Sequence, residues 1–175
     1  MKIFELKEFA AYKDIIPFDA PIVSCLLKHG LNHFPPRDFE DLIMKSLAVY
    51  GFKGDLTPAS GDDGIDILLH GPHSGSIIVQ CKRYTEETRI APSIMRELIG
   101  SMVHVSARYG ILVTTSYLSE QAAAFCHDKD IIIVDRDDLD TLLRHAVTVE
   151  SAKYRNLITV EPRYRDKGIT GYNVK

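Results

Sequence analysis

The chain has 175 residues, 45% of them hydrophobic and 26% charged, so it can form one ordinary core and is expected to be a single domain with short extensions. Its formal net charge of −3 excludes the strongly basic balance typical of many nucleic-acid-binding proteins, although basic residues can still cluster locally. Three cysteines without metal-type spacing, and no apolar run of roughly 20 residues, argue against a disulfide framework and a membrane span and predict a cytoplasmic protein.

Composition divides the chain at two points. Residues 1–35 are mixed in character and end at a Pro-Pro pair, and residues 36–146 alternate between helix and strand signals. Residues 147–175 are basic: from Ser151 onward six Lys and Arg face two acids, 6 − 2 = +4, which leaves −3 − 4 = −7 on the rest of the chain. We therefore expect an N-terminal extension (1–35), a domain (36–146) and a basic C-terminal tail (147–175).

The first predicted element is a helix that follows Pro36, with Asp38 as its N-cap, and that ends at Gly51. One apolar face recurs along it at helical spacing: Phe39, Leu42, Ile43, Leu47 and Tyr50. An extended segment (52–59) and a Gly-containing loop (60–64) follow. Two apolar strands (65–70 and 76–82) then flank the turn GPHSG at 71–75, which predicts a β-hairpin.

The second half alternates regularly. A helix is predicted at 92–107, a buried strand at 110–115, a helix at 119–128, a strand at 131–135 and a helix at 137–145. The complete order is αβββαβαβα. The chain is thus expected to be an α/β protein whose mixed β-sheet is flanked by helices, because the hairpin prevents a wholly parallel sheet.

A cluster of polar residues stands at one end of the predicted hairpin. If the turn is symmetric about His73, paired residues sum to 146, so Asp66 faces Gln80 across the two strands, with Cβ atoms roughly 5 Å apart. Side chains alternate along a strand, so Gln80 and Lys82 share one face and Cys81 points to the other. Asp66, Gln80 and Lys82 are therefore predicted to meet at one end of the sheet.

These three groups suit a hard divalent cation better than a protein core. Polar groups within an apolar hairpin cost several kcal/mol unless they pair or bind metal. Asp66 can offer a charged oxygen to Mg²⁺, and either the Gln80 amide or the Cys81 main-chain carbonyl can offer a neutral one. Lys82 is placed to orient or deprotonate an attacking water or to offset charge on a phosphate. Phosphodiester cleavage needs an attacking hydroxide, an offset for charge on the phosphate and a proton for the leaving oxygen, and a metal with one lysine can meet the first two needs.

Four segments carry a family resemblance: SGDDGIDI (60–67), IIVQCKRY (77–84), MRELIG (95–100) and GILVTTSYLSEQA (110–122). Together they resemble the Mrr-type (type IV) restriction endonuclease family of the PD-(D/E)xK nuclease superfamily, over about 39–143. The family has an acid on its first helix, an Asp that closes a G-I-D triplet, and Q-x-K or E-x-K on the next strand. Here those positions are Glu40, Asp66 and Gln80-Cys81-Lys82.

The resemblance implies an αβββαβ nuclease core over 36–146 and a catalytic set of Asp66, Gln80, Lys82 and Glu40. It implies a Mg²⁺-dependent endodeoxyribonuclease, with Mn²⁺ as a substitute, that acts in restriction or defence against foreign or modified DNA. Because the wider superfamily has Glu where this chain has Gln80, we expect one metal ion to dominate. Double-strand cutting needs two active sites, so a homodimer or larger assembly is expected.

Target recognition is the main departure from the family. Many relatives carry a winged-helix domain before the nuclease, and residues 1–35 are too short for one. DNA recognition is then left to the basic tail, to a partner subunit, or is absent.

Several alternatives stay open at this stage. The chain could be a catalytically silent DNA-binding or regulatory subunit with a nuclease fold, or an enzyme on RNA or a branched junction. Glu40 could be a solvated helix acid, and Asp62 either a support for the site or a turn residue. Thr114 and Thr115 could contact phosphate or simply end a strand.

Overall fold

The computed structural model describes most of the chain from Leu31 onward. The described residues are 31, 34–58, 63–70, 76–85, 87–154, 160–164 and 171–174, with side chains described as far as residue 146. The helices are α1 (Pro36–Val49), α2 (Pro92–His104), α3 (Glu120–Cys126) and α4 (Arg136–Tyr154). The strands are β1 (Lys53–Leu56), β2 (Ile67–His70), β3 (Ser76–Lys82), β4 (Tyr109–Thr114), β5 (Ile131–Val134), β6 (Val160–Tyr164) and β7 (Gly171–Val174).

Helix α1 begins two residues before the predicted cap. Pro35 occupies the N-cap position and Pro36 is the first helical residue, where a missing N–H costs no helical hydrogen bond. The expectation that Asp38 is the N-cap is therefore wrong. The Asp38 carboxylate lies in the first turn, where its negative charge interacts favourably with the helix dipole and stabilises the helix. The apolar face is as predicted, since Phe39, Leu42, Ile43 and Leu47 are buried.

Strands β1 to β5 form one mixed sheet in sequential order, which confirms the predicted α/β fold class. The pairs β1–β2 and β2–β3 are antiparallel, and β3–β4 and β4–β5 are parallel. In the β2–β3 hairpin, His70 pairs with Ser76 and Ile67 with Val79, which is the predicted register. The turn at 71–75 lies outside the described residues.

Two apolar layers cover the two faces of this sheet. On one face, Ile77 and Val79 of β3 join a cluster with residues of α1 and α4. On the other face, Ile78 of β3 packs with Met95 and Leu98 of α2. With both faces covered, the central strands are apolar along nearly their whole length, so a polar residue in β3 stands out.

The C-terminal region contains more regular structure than a tail. Helix α4 continues to Tyr154, across the predicted boundary at 146 and nine residues beyond the predicted end at 145, and β6 and β7 form a separate antiparallel pair. The division of the chain into three parts remains a prediction. Within the described residues, no helix is long and apolar enough to cross a membrane.

Candidate active site

The last three residues of β3 carry the polar groups singled out in the sequence. Gln80 lies on the face covered by α2 and is 1% exposed, although it sits among aliphatic residues. Lys82 follows at the strand end, where its side chain is 25% exposed. The strand thus leads from a buried amide to a partly exposed ammonium.

Asp66 reaches this strand end through the main chain of Cys81. The N–H of Cys81 donates to Asp66 Oδ2 at 2.5 Å. The regular β2–β3 register ends at Ile67, and the Asp66 N–H donates to the carbonyl of Val79 at 2.9 Å rather than to that of Gln80. The predicted strand start at residue 65 is therefore wrong by two residues. Asp66 therefore reaches β3 from a bend before the strand, and the predicted pairing of Asp66 with Gln80 is not found.

The bend has a consequence for the Cys81 carbonyl. In an extended strand the N–H and C=O of one residue point to the same edge. Because the Cys81 N–H points to Asp66, the Cys81 carbonyl points to the same edge of β3, just beyond the end of the pairing between β2 and β3. The main-chain oxygen predicted as a ligand thus faces the side of β3 on which the Asp66 carboxylate lies.

Glu97 of α2 is a member of the site that the sequence reasoning missed. Its Oε1 atom accepts a hydrogen bond from Gln80 Nε2 at 2.6 Å and lies 3.3 Å from Lys82 Nζ. One carboxylate oxygen therefore links both outer residues of the Gln-x-Lys motif. The available signal was Glu97's position as the only acid of α2, next to the buried Leu98 and within the MRELIG segment.

The oxygen of the Gln80 amide lacks a partner. Among buried side-chain polar atoms of the described residues, Gln80 Oε1 is the one without a hydrogen bond. An unsatisfied buried acceptor costs about 1–3 kcal/mol, which a cation or other ligand against that oxygen would remove. This observation fits an oxygen-ligated divalent ion.

The approach to the Gln80–Glu97 pair is lined by Gly64. Gly64 has φ +77°, and a Cβ there would lie 3.0 Å from both Gln80 Nε2 and Glu97 Oε1. The preceding residue is tied to α2, because Ser101 Oγ donates to the Asp63 carbonyl at 2.5 Å. A side chain at position 64 would therefore be strained by the positive φ and would push against the pair. Asp62 lies outside the described residues.

Glu40 is near the site but has a partner of its own. Its side chain is 16% exposed and pairs with Arg37 at 3.0 Å. Burial raises the pKa of the Cys81 thiol well above its usual range; the carboxylates of Asp66 and then Glu40 raise it further, and Lys82 opposes them. Since both carboxylates raise the pKa of one thiol, Glu40 and Asp66 both lie near Cys81.

Thr114, the last residue of β4, and Thr115, which follows it, both bond to main chain. Thr115 Oγ1 donates to the Tyr84 carbonyl at 2.8 Å and accepts from the Tyr84 N–H at 2.9 Å. Thr114 Oγ1 accepts from the Ser116 N–H at 3.2 Å. These contacts support the strand-end interpretation of both residues.

No group of three or more His, Cys, Asp or Glu side chains suited to a metal gathers in the described part of the chain. A cation at the end of β3 would thus depend on amide and main-chain oxygens beside Asp66. Such a mixed oxygen set, completed by waters, is what Mg²⁺ accepts.

Comparison with known proteins agrees with this architecture. The family model Mrr_cat, described as a restriction endonuclease, matches residues 31–143. A search of curated proteins found no match.

Among solved structures, the DNA modification-dependent restriction endonuclease AspBHI is similar, with a TM-score of 0.56 and 20% identity over 83% of this chain and 44% of its own. MspJI restriction endonuclease in complex with a 27-mer oligonucleotide has a TM-score of 0.50 and 18% identity; the match covers 84% of this chain and 38% of the MspJI chain. The crystal structure of AF1548, a protein of unknown function, has a TM-score of 0.53 and 12% identity; the match covers 73% of this chain and 71% of the AF1548 chain. At these identities the likeness shows the fold alone, and the chain spans less than half of AspBHI and MspJI.

Proposed function

Because the chain belongs to the Mrr_cat restriction endonuclease family, we propose that it is a Mg²⁺-dependent endonuclease that hydrolyses DNA phosphodiester bonds in the cytoplasm. The observation that carries the proposal is the unpartnered oxygen of Gln80, buried one residue from the Cys81 N–H that holds Asp66. A buried acceptor and a carboxylate at one strand end are what a hard cation requires.

The proposed roles follow from the contacts. Asp66 supplies the charged ligand, and the Gln80 amide oxygen and Cys81 carbonyl supply neutral ligands. When bound, the cation supplies a Lewis acid that acidifies the attacking water and offsets charge on the phosphate. Lys82, at the partly exposed strand end, orients or deprotonates that water, and Glu40 adds negative charge near Cys81.

The biological role proposed is restriction of foreign or modified DNA. AspBHI depends on DNA modification, and MspJI is seen with an oligonucleotide. Since double-strand cutting needs two active sites, we further propose a homodimer or larger assembly. Target recognition belongs to a partner subunit or to residues 147–175, where a net basic charge suits DNA.

Two observations favour a second candidate, a catalytically silent DNA-binding or regulatory subunit. Lys82 is paired with Glu97, and the described residues hold no cluster of three acidic, His or Cys side chains that could bind a metal. Both features are compatible with a nuclease fold retained without turnover.

Plasmid DNA with and without modified cytosine, incubated with the purified chain and Mg²⁺, Mn²⁺ or EDTA, separates the two candidates. Cleavage that needs Mg²⁺ or Mn²⁺ supports the nuclease. No cleavage of either plasmid, with no heat of Mn²⁺ binding in calorimetry, supports the silent subunit. Preference for RNA or a four-way junction in competition would identify a different substrate.

A further inference from the structure

The hydrogen bond between Gln80 and Glu97 decides which way the amide of Gln80 points. A carboxylate can only accept hydrogen bonds, so the amide NH₂ of Gln80 has to face Glu97. The amide oxygen is then turned away from Glu97, to a place where it has no partner. Reversing the amide would set an oxygen against a carboxylate oxygen at 2.6 Å.

The same carboxylate oxygen also holds the ammonium of Lys82. The distance from Glu97 Oε1 to Lys82 Nζ is 3.3 Å, and both side chains are partly exposed to solvent. A residue of α2 therefore controls the two outer positions of the Gln-x-Lys motif, while the central residue is held by Asp66.

The backbone of helix α2 at Glu97 is tied to the loop that precedes β2. Ser101 Oγ, one turn later on α2, contacts both the Glu97 carbonyl at 3.1 Å and the Asp63 carbonyl at 2.5 Å. Gly64 follows directly and lies against the carboxylate and the amide. The loop therefore covers one side of the Gln80–Glu97 pair.

We propose that Glu97 is a positioning residue that presents the Gln80 amide oxygen to the active-site cation and holds Lys82 for the attacking water. This inference rests on the proposed nuclease function. It assigns a role in the site to helix α2, through a residue outside the Asp-Gln-x-Lys motif.

Two substitutions of Glu97 are expected to differ in their effects on the cation and on Lys82. Glu97→Ala frees the amide to reverse, so the NH₂ group can point at the cation and weaken its binding. Glu97→Gln keeps an acceptor for the Gln80 NH₂ group but removes the charge that pairs with Lys82. Partners that orient a metal ligand typically contribute roughly 10–100-fold to affinity or activity.

The test is a double-mutant cycle on Mn²⁺ affinity, measured by calorimetry on the full chain. Glu97→Ala is expected to weaken binding at least about tenfold with Gln80 present and to have little further effect in a Gln80→Ala background. Glu97→Gln is expected to bind Mn²⁺ more tightly than Glu97→Ala, yet to cleave plasmid more slowly than the wild type. Glu120→Gln, which removes an exposed acid at the first turn of α3, is the matched control and should match the wild type.

A second readout follows the amide directly. The side-chain NH₂ resonances of Gln80, assigned by their loss in Gln80→Glu, should shift in Glu97→Ala without added metal and stay put in Glu120→Gln. If Glu97→Ala does not fold, the near-isosteric Glu97→Gln carries the comparison of cation affinity and cleavage.

The outcomes are distinguishable. Equal losses of Mn²⁺ affinity from Glu97→Ala with and without Gln80 would overturn the positioning role while leaving the nuclease proposal intact. So would unchanged Gln80 resonances in Glu97→Ala. A wild-type chain that neither binds Mn²⁺ nor cleaves DNA defeats the proposed function itself, and the positioning role with it.

Discussion

The carboxylate of Asp66 accepts a hydrogen bond from the main-chain N–H of Cys81 at 2.5 Å, so the bend before β2 is fastened to the middle of the Gln-x-Lys motif. The contact uses backbone rather than a side chain of β3. Asp66 can therefore hold its place whichever side chain stands at position 81, and its charge lies beside the carbonyl proposed as a ligand.

The first prediction concerns the charge of Asp66. Asp66→Asn keeps an oxygen that can accept from Cys81, so the fold should persist, but it removes the charged ligand. We expect cleavage to fall by more than about a hundredfold and Mn²⁺ binding to weaken in parallel. Asp55→Asn, on β1 with an 82% exposed side chain, is the control. Full activity in Asp66→Asn would show that the proposed site is wrong.

The second prediction separates Lys82 from cation binding. Lys82→Met keeps the aliphatic stem and removes the amino group proposed to orient or deprotonate the attacking water, so plasmid cleavage should fall by roughly 10²–10⁴-fold, the range for loss of a positioned proton-transfer group. Mn²⁺ affinity should be retained, because the Lys82 side chain is not one of the proposed cation ligands. Lys129→Met, at an exposed turn after α3, should cleave normally. Parallel loss of cleavage and Mn²⁺ affinity would assign Lys82 to cation binding instead.

The third prediction uses the residue at position 80. Gln80→Glu places a second carboxylate 2.6 Å from that of Glu97, with no NH₂ to donate. Without metal, the free energy of unfolding should fall by about 1–3 kcal/mol. Mn²⁺ should restore more stability to this variant than to the wild type, and Gln80→Glu with Glu97→Gln should recover the loss. Denaturant unfolding with and without Mn²⁺ measures both effects.

The fourth prediction compares two glycines. Gly64→Ala forces a side chain into a left-handed conformation and against the Gln80–Glu97 pair, so it should destabilise the fold by about 1–2 kcal/mol and lower activity. Gly100→Ala has nothing within 4 Å of the new Cβ and lies inside α2. It should stabilise the protein by about 0.5–1 kcal/mol. Denaturant unfolding that ranks the two variants the other way would contradict the described path of the loop.

The fifth prediction tests how close Glu40 and Asp66 lie to Cys81. Ionising Cys81 places a negative charge in a buried site beside two carboxylates, which raises the pKa of its thiol. In a Cys25→Ser background, iodoacetamide at pH 8 should label Cys126, whose pKa is raised by burial, before Cys81. Asp66→Asn and Glu40→Gln should each speed the labelling of Cys81, and Asp55→Asn should not.

The same pKa shift links Cys81 to stability. The unfolded thiol loses its proton near pH 8.5, whereas the folded thiol keeps it to higher pH. The folded state then binds more protons, so stability should fall as the pH rises from about 8.5 toward the folded pKa. Cys81→Ala should flatten this dependence in urea titrations at pH 8 to 10.

Much of the fold could be predicted from local patterns in the sequence. The helical spacing of Phe39, Leu42 and Leu47 predicted α1 and its buried face, and alternation about a short turn predicted the β2–β3 register from Ile67 to His70. Both depend on periodicities that a short segment carries by itself. The family resemblance added the expectation of a nuclease core, which the match over residues 31–143 confirms.

The sequence by itself determined the order of the elements from α1 to the start of α4, and the candidates Asp66, Gln80 and Lys82, because main-chain periodicity and turn chemistry act over a few residues. It did not predict β6 and β7. Only the tertiary structure decided that Asp66 approaches through the Cys81 N–H and that Glu97, seventeen residues from Gln80, holds the amide. That contact depends on how α2 is seated on the sheet by Met95 and Leu98. The position of a helix on a sheet results from the packing of side chains that are distant in sequence, so the periodicity within one segment cannot predict it.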